Sequence, residues 1–140
     1  MLTRQEVSTE WAKAVAASKL ELPPGMNFPS TPPTFFDGEP GMVYLYEAPL
    51  VDHFVMNFWR CSWISTELKA ARSKVPIDSA RFEKVNEQYR LSLPESSRAE
   101  FDLYIAGAPK WARSVGREAD DAVALIYEAD CASLTGEVTK

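Results

Sequence analysis

Three observations predict an all-α protein, an irregular bundle of five to six helices around a central hydrophobic helix. Between Phe54 and Ile64, eight of eleven positions are apolar and they surround most of a helical wheel, the mark of a buried helix. Apolar residues elsewhere recur at helical spacing behind recognisable caps. Six of the ten prolines crowd into residues 20–41, where no helix survives, so disruption is confined to one stretch. The whole chain, residues 1–140, reads as a single helical domain, with residues 20–48 as a proline/aromatic extended segment packed on it.

Thr3 and Glu6 form a capping box, and Val7, Trp11, Ala14 and Val15 follow at helical spacing, so helix one is expected over about Arg4–Lys19. Its apolar face is moderate, which places it on the domain surface. In the proline-rich stretch Met26, Phe28, Phe35 and Phe36 are interleaved, more apolar groups than a flexible linker carries. Met42–Tyr46 has the composition of a short strand without an obvious partner. Pro49 suits the first position of helix two, which reaches about Ser73 before Pro76 stops it. Asp78 caps helix three, with Phe82, Val85 and Tyr89 on its apolar face. The next helix follows Pro94 and is expected to end near Gly107, with Pro109 opening a separate short segment that holds Trp111 and Val115. The last helix is expected over about Glu118–Ala132, with Ala119, Ala122, Val123, Ile126 and Tyr127 on its apolar face, Asp120 and Asp121 in its first turn and Gly136 beyond its end.

Composition narrows the function. The chain is 46% hydrophobic and 25% charged, a folded protein, and its net charge of −5 argues against a nucleic-acid partner. One histidine, His53, excludes a two-histidine zinc site, and Cys61 lies eight positions further along the same helix, a rise of about 12 Å that precludes a Cys–His pair. Asp52 and His53, adjacent on a helix, point about 100° apart and do not start a triad. Neither a calcium loop nor a phosphate-binding glycine loop is present, and no cofactor is indicated. The balance leans away from an enzyme.

Two surfaces remain. His53, Asn57, Arg60 and Glu67 fall within about 80° on the wheel of helix two, either lining a binding groove or forming the helix's solvent-facing edge. Lys110, Arg113 and Arg117 form a basic face that either takes an anionic partner or is neutralised by Glu118, Asp120 and Asp121. Of the tryptophans, Trp11, Trp59 and Trp63 suit a core, while Trp111 stands between alanines and charges as a candidate contact. Cys61 and Cys131 can form one bridge, closing a loop worth about 4 kcal/mol in the chain-entropy model; two buried, reduced thiols are the alternative. No run of 18 apolar residues exists, so no membrane-spanning segment is expected. Met1–Glu6 is not the start of a signal peptide, which by itself points to the cytoplasm.

Trp59-Arg60-Cys61-Ser62-Trp63, the Leu22-Pro23-Pro24-Gly25-Met26-Asn27-Phe28-Pro29 segment and the late Asp130-Cys131 together resemble a group of uncharacterised exported domains of high-GC Gram-positive bacteria. In that group a Pro-Glu-Gly-Met-like segment precedes a long helix bearing an aromatic-x-Cys-x-Trp signature, and a second cysteine lies near the C-terminus. Members typically carry a transmembrane anchor, which this sequence lacks, and Pro24 stands here where the group has an acid. The resemblance implies an extracytoplasmic location and a Cys61–Cys131 disulfide, and brings no activity with it. The reading that follows is a non-catalytic extracytoplasmic domain binding a protein or cell-envelope partner through Met26, Phe28, Phe35 and Phe36. The alternative is a small ligand-binding protein or hydrolase using the His53/Asn57/Arg60/Glu67 stripe.

Overall fold

The Thr3 hydroxyl accepts the Glu6 backbone N–H at 3.2 Å and the Glu6 carboxylate accepts the Thr3 N–H at 3.1 Å, so the first helix starts with the reciprocal cap its sequence predicts. A computed structural model describes residues 1–75, 78–118 and 121–132. Pro76, Ala119, Asp120 and Gly136, to which the sequence assigned helix-ending, face or first-turn roles, lie outside the described residues. Among the described residues the helices are α1 (Arg4–Ala17), α2 (Pro49–Arg72), α3 (Ser79–Ser92), α4 (Glu95–Ser114) and α5 (Ala122–Asp130), with a short 3-10 turn over Thr34–Asp37. Among the described residues there is no strand, only one isolated antiparallel bridge between Leu2 and Tyr46. The all-α expectation holds.

The cap of α3 follows the sequence: the Asp78 carboxylate accepts the Arg81 backbone N–H at 3.0 Å. Two expectations are corrected. The last helix starts at Ala122 rather than about Glu118, so Asp121 precedes its first turn and makes no side-chain cap hydrogen bond. Gly107 and Pro109 do not divide the fourth helix; α4 runs through both. A proline in a helix interior removes one backbone hydrogen bond and costs about 3 kcal/mol. Here packing on both sides of the break outweighs that cost. Ala108 and Ala112 are fully buried, Tyr104 and Ile105 pack on the same core, and α4 lies against α5.

The chain divides into two compact units, Met1–Trp59 and Arg60–Lys140, and the division falls inside α2. The first unit is built on Val7 and Trp11 of α1, Phe36, Tyr46, and Val51 and Val55 of α2. Its proline-rich segment is held by tryptophan N–H donors: Trp11 Nε1 donates to Pro29 O at 2.8 Å and Trp59 Nε1 to Glu21 O at 2.9 Å. A segment with few regular backbone bonds thus finds partners for its carbonyls. The second unit is built on Cys61, Ile64 and Leu68 of α2, Ala108 of α4, and Ala124, Ile126, Tyr127 and Cys131.

Candidate functional site

Cys61 and Cys131 form a disulfide with Cα atoms 5.2 Å apart, and both residues are fully buried. Beside it sits a buried cation. Arg60 is 1% exposed, donates from Nε to Asn86 Oδ1 at 3.2 Å, and pairs through Nη1 with Asp130 Oδ2 at 3.2 Å. Its guanidinium lies over the rings of Tyr89 (4.7 Å) and Phe101 (5.3 Å). Glu67, 5% exposed, accepts the Asp78 backbone N–H at 3.0 Å, which places a carboxylate against the start of α3. The expected solvent-facing edge therefore does not describe these two residues. Both are used inside the second unit, because partners from α3 and the end of α5 reach them. Asn57 is half-buried in the first unit, and His53 keeps an exposed edge while burial of the rest of its ring holds the imidazole below its usual range.

The basic face is partly neutralised. Arg117 pairs with Glu128 at 2.9 Å and Asp121 at 3.6 Å, while Lys110 and Arg113 are exposed. Exposed pairs of this kind contribute little to stability. Trp111 is 37% exposed, with its ring 6.2 Å from that of Tyr104. The Tyr104 phenol is pushed up to about 12 by burial and then by the Asp130 charge. The native state therefore holds a proton that the unfolded chain, with its phenols near 10, releases. Stability is expected to fall as pH rises from about 10 towards 12, and a spectrophotometric phenolate titration should show a late phase, to which Tyr89, also raised by burial, contributes and which Tyr104→Phe reduces. An undiminished late phase in the variant would assign it elsewhere.

Grooves open among the described residues of both units. One of about 350 Å³ in the first unit is bounded by Arg4, Phe36, Asp37 and the 38–46 loop; another of about 410 Å³ lies between α1 and the start of α2. A third of about 400 Å³ runs along α3 and α4 past Phe82, Asn86 and Phe101, with Arg90 bound to Asp102 at 2.8 Å on its rim. None of the three is lined by His53, Asn57, Arg60 or Glu67. Among the described residues no group of three or more His, Cys, Asp or Glu could hold a metal ion, and no helix is long and apolar enough to cross a membrane.

The feature with no counterpart in core packing is an apolar surface on the first unit. Phe36 is buried, its ring 5.1 Å from Phe54 and 5.0 Å from Tyr46, whose hydroxyl donates to Phe36 O at 3.1 Å. Phe28 is half-buried against Phe58, ring to ring 5.5 Å, and Met26 is half-buried. Phe35, one step along the 3-10 turn, remains 56% exposed. In the loop that follows, Met42, Val43 and Leu45 are 61%, 91% and 54% exposed. The loop that presents them turns at Gly38, where φ is +66° and the Tyr44 ring leaves no room for a Cβ. Sequence reasoning treated Met42–Tyr46 only as a possible strand. Its signal was the uncharged run of five apolar residues, which has no amphipathic alternation to bury one face.

Comparison with known protein families, with curated proteins and with solved structures finds no match.

Proposed function

We propose that the chain is a non-catalytic contact domain that binds a protein partner through the apolar surface of its first unit, and that it works outside the cytoplasmic membrane. The observation that carries the reading is the exposed apolar run Met42–Leu45, with Val43 91% exposed, in a loop of the first unit whose buried core holds Phe36 and Tyr46. Large apolar side chains left exposed together along one segment mark interaction sites. The surface lies partly beyond the Met26–Phe36 stretch first expected to carry it: Phe35 is shared, Phe36 serves the core, and Met42–Leu45 are added. The location is supported by the buried disulfide, since such bonds persist in oxidising compartments.

A photoreactive phenylalanine analogue at position 43, introduced in cells of the source organism, tests the reading. Leu103, an exposed apolar residue of α4 at 76%, is the control position. A discrete covalent adduct is expected from position 43 and not from 103. Absence of any adduct from positions 35, 43 and 45, or the same adducts from 103, overturns the proposal.

A further inference from the structure

We infer that Met42–Leu45, an extended segment with an unpaired backbone edge, pairs antiparallel with the same segment of a second copy of this chain, with Tyr44 on the twofold axis; this rests on the contact surface proposed above and names its partner. The argument starts from the bridge. Tyr46 uses both backbone groups on Leu2: Leu2 N donates to Tyr46 O at 2.6 Å and Tyr46 N to Leu2 O at 2.8 Å. In an extended chain the N–H and C=O of neighbouring residues point to opposite edges, so Leu45 and Val43 direct theirs away from Leu2. The near-parallel stacking of the Tyr44 and Tyr46 rings, 20° apart in plane, shows the two-residue alternation that this requires. Val43, Tyr44 and Leu45 make no backbone hydrogen bond to any described residue, and Val43 is 91% exposed. Natural proteins blunt such edges with lysine, proline or a bulge, but Met42–Tyr46 carries none of the first two.

The register decides for a second copy. The free edge presents Val43 and Leu45, with Tyr44 between them. A twofold through Tyr44 sets Val43 opposite the second copy's Leu45, each exchanging N–H···O bonds with the other, and the symmetry repeats the pair. Opposite residues then share a face, so the valines and leucines form one aliphatic cluster and the two Tyr44 side chains meet on the other face as a non-hydrogen-bonded aromatic pair. The same register places Glu47 against Gly41 of the second copy, so no like charges face each other across the ladder. Strands this short bury less than the roughly 1,200 Å² of a stable interface, so association is expected to be transient.

Sedimentation of the full chain across micromolar to near-millimolar concentration tests the inference. A concentration-dependent dimer is expected. Val43→Lys, at an exposed position, and Leu45→Pro, which deletes a required N–H, should each weaken it at least tenfold, while Leu45→Thr, which keeps the N–H and the strand preference, should weaken it only a few-fold. Amide exchange should slow with concentration at Val43 and Leu45 and stay unchanged at Tyr44. A monomer at every concentration, or a dimer indifferent to Val43→Lys, overturns self-pairing. A monomer that still gives a heterologous adduct from position 43 leaves the contact surface standing with a different occupant; no adduct and no dimer removes both.

Discussion

Replacing Cys61 and Cys131 together by alanine is expected to lower the unfolding free energy by about 4 kcal/mol. The bridge spans 70 positions, and a loop of that length is where cross-linking restricts the unfolded chain most. Domains of this size are stable by about 5–15 kcal/mol, so the loss is a large fraction of the whole. In thermal unfolding it corresponds to a drop of about 10–15 °C. Both cysteines are buried, so mild reductant acting on the native state will reach them only through opening, and the double variant is the cleaner comparison. Urea titration of the oxidised protein, the protein reduced while unfolded, and the double variant should give one high midpoint and two low ones. Intact mass under non-reducing conditions should lie two hydrogen masses below the reduced value. Identical midpoints for all three samples would show that the bridge adds nothing, and the argument from it to an oxidising compartment would fall too.

The helices were legible where one residue decides locally. Thr3 with Glu6, and Asp78 before an apolar-periodic run, are capping signals whose physics is complete within four residues, and both caps form. The apolar run of α2 likewise announced a buried helix. What could not be read depended on partners distant in sequence. Pro109 looked like a break because its local cost is visible and the burial of Ala108 and Ala112 that outweighs it is not. Arg60 and Glu67 looked like an exposed polar stripe because nothing in α2 shows that Asn86, Asp130 and the backbone of Asp78 will meet them. Phe35 and Phe36 are identical side chains in one tight turn. Both rings reach Tyr46 and Phe54, but only Phe36 is buried; which of the two is covered is set by the direction of that turn, and the sequence does not encode it in any pattern shorter than the fold. The Leu2–Tyr46 bridge belongs to the same class, a pairing between the residue ahead of the α1 cap and a segment more than forty positions away.

The second large effect is expected from Asp130, and the asymmetry of its ion pair sets the direction. Asp130 is 30% exposed and Arg60 1%. Removing the arginine leaves a carboxylate that can turn to water; removing the carboxylate strands a guanidinium that cannot. Asp130→Ala is therefore expected to cost about 3–5 kcal/mol, and Arg60→Met, which fills a similar volume with apolar atoms, nearer 2 kcal/mol. Arg60→Lys should not rescue, because an ammonium lacks the planar fork that donates to Asn86 and Asp130 while lying over Tyr89 and Phe101. Urea midpoints of the three variants check the ranking. A larger loss for Arg60→Met than for Asp130→Ala would mean that ring contacts and packing, not charge compensation, hold this site. The pair also adjoins the disulfide on both sides, Arg60 before Cys61 and Asp130 before Cys131. The bridge fixes the carboxylate where the guanidinium needs it, so Asp130→Ala should cost less once both cysteines are alanine. The shortfall in the double-mutant cycle is expected at about 0.5–3 kcal/mol, the size seen for residues that share a network. Strict additivity would show that the ion pair forms without help from the bridge.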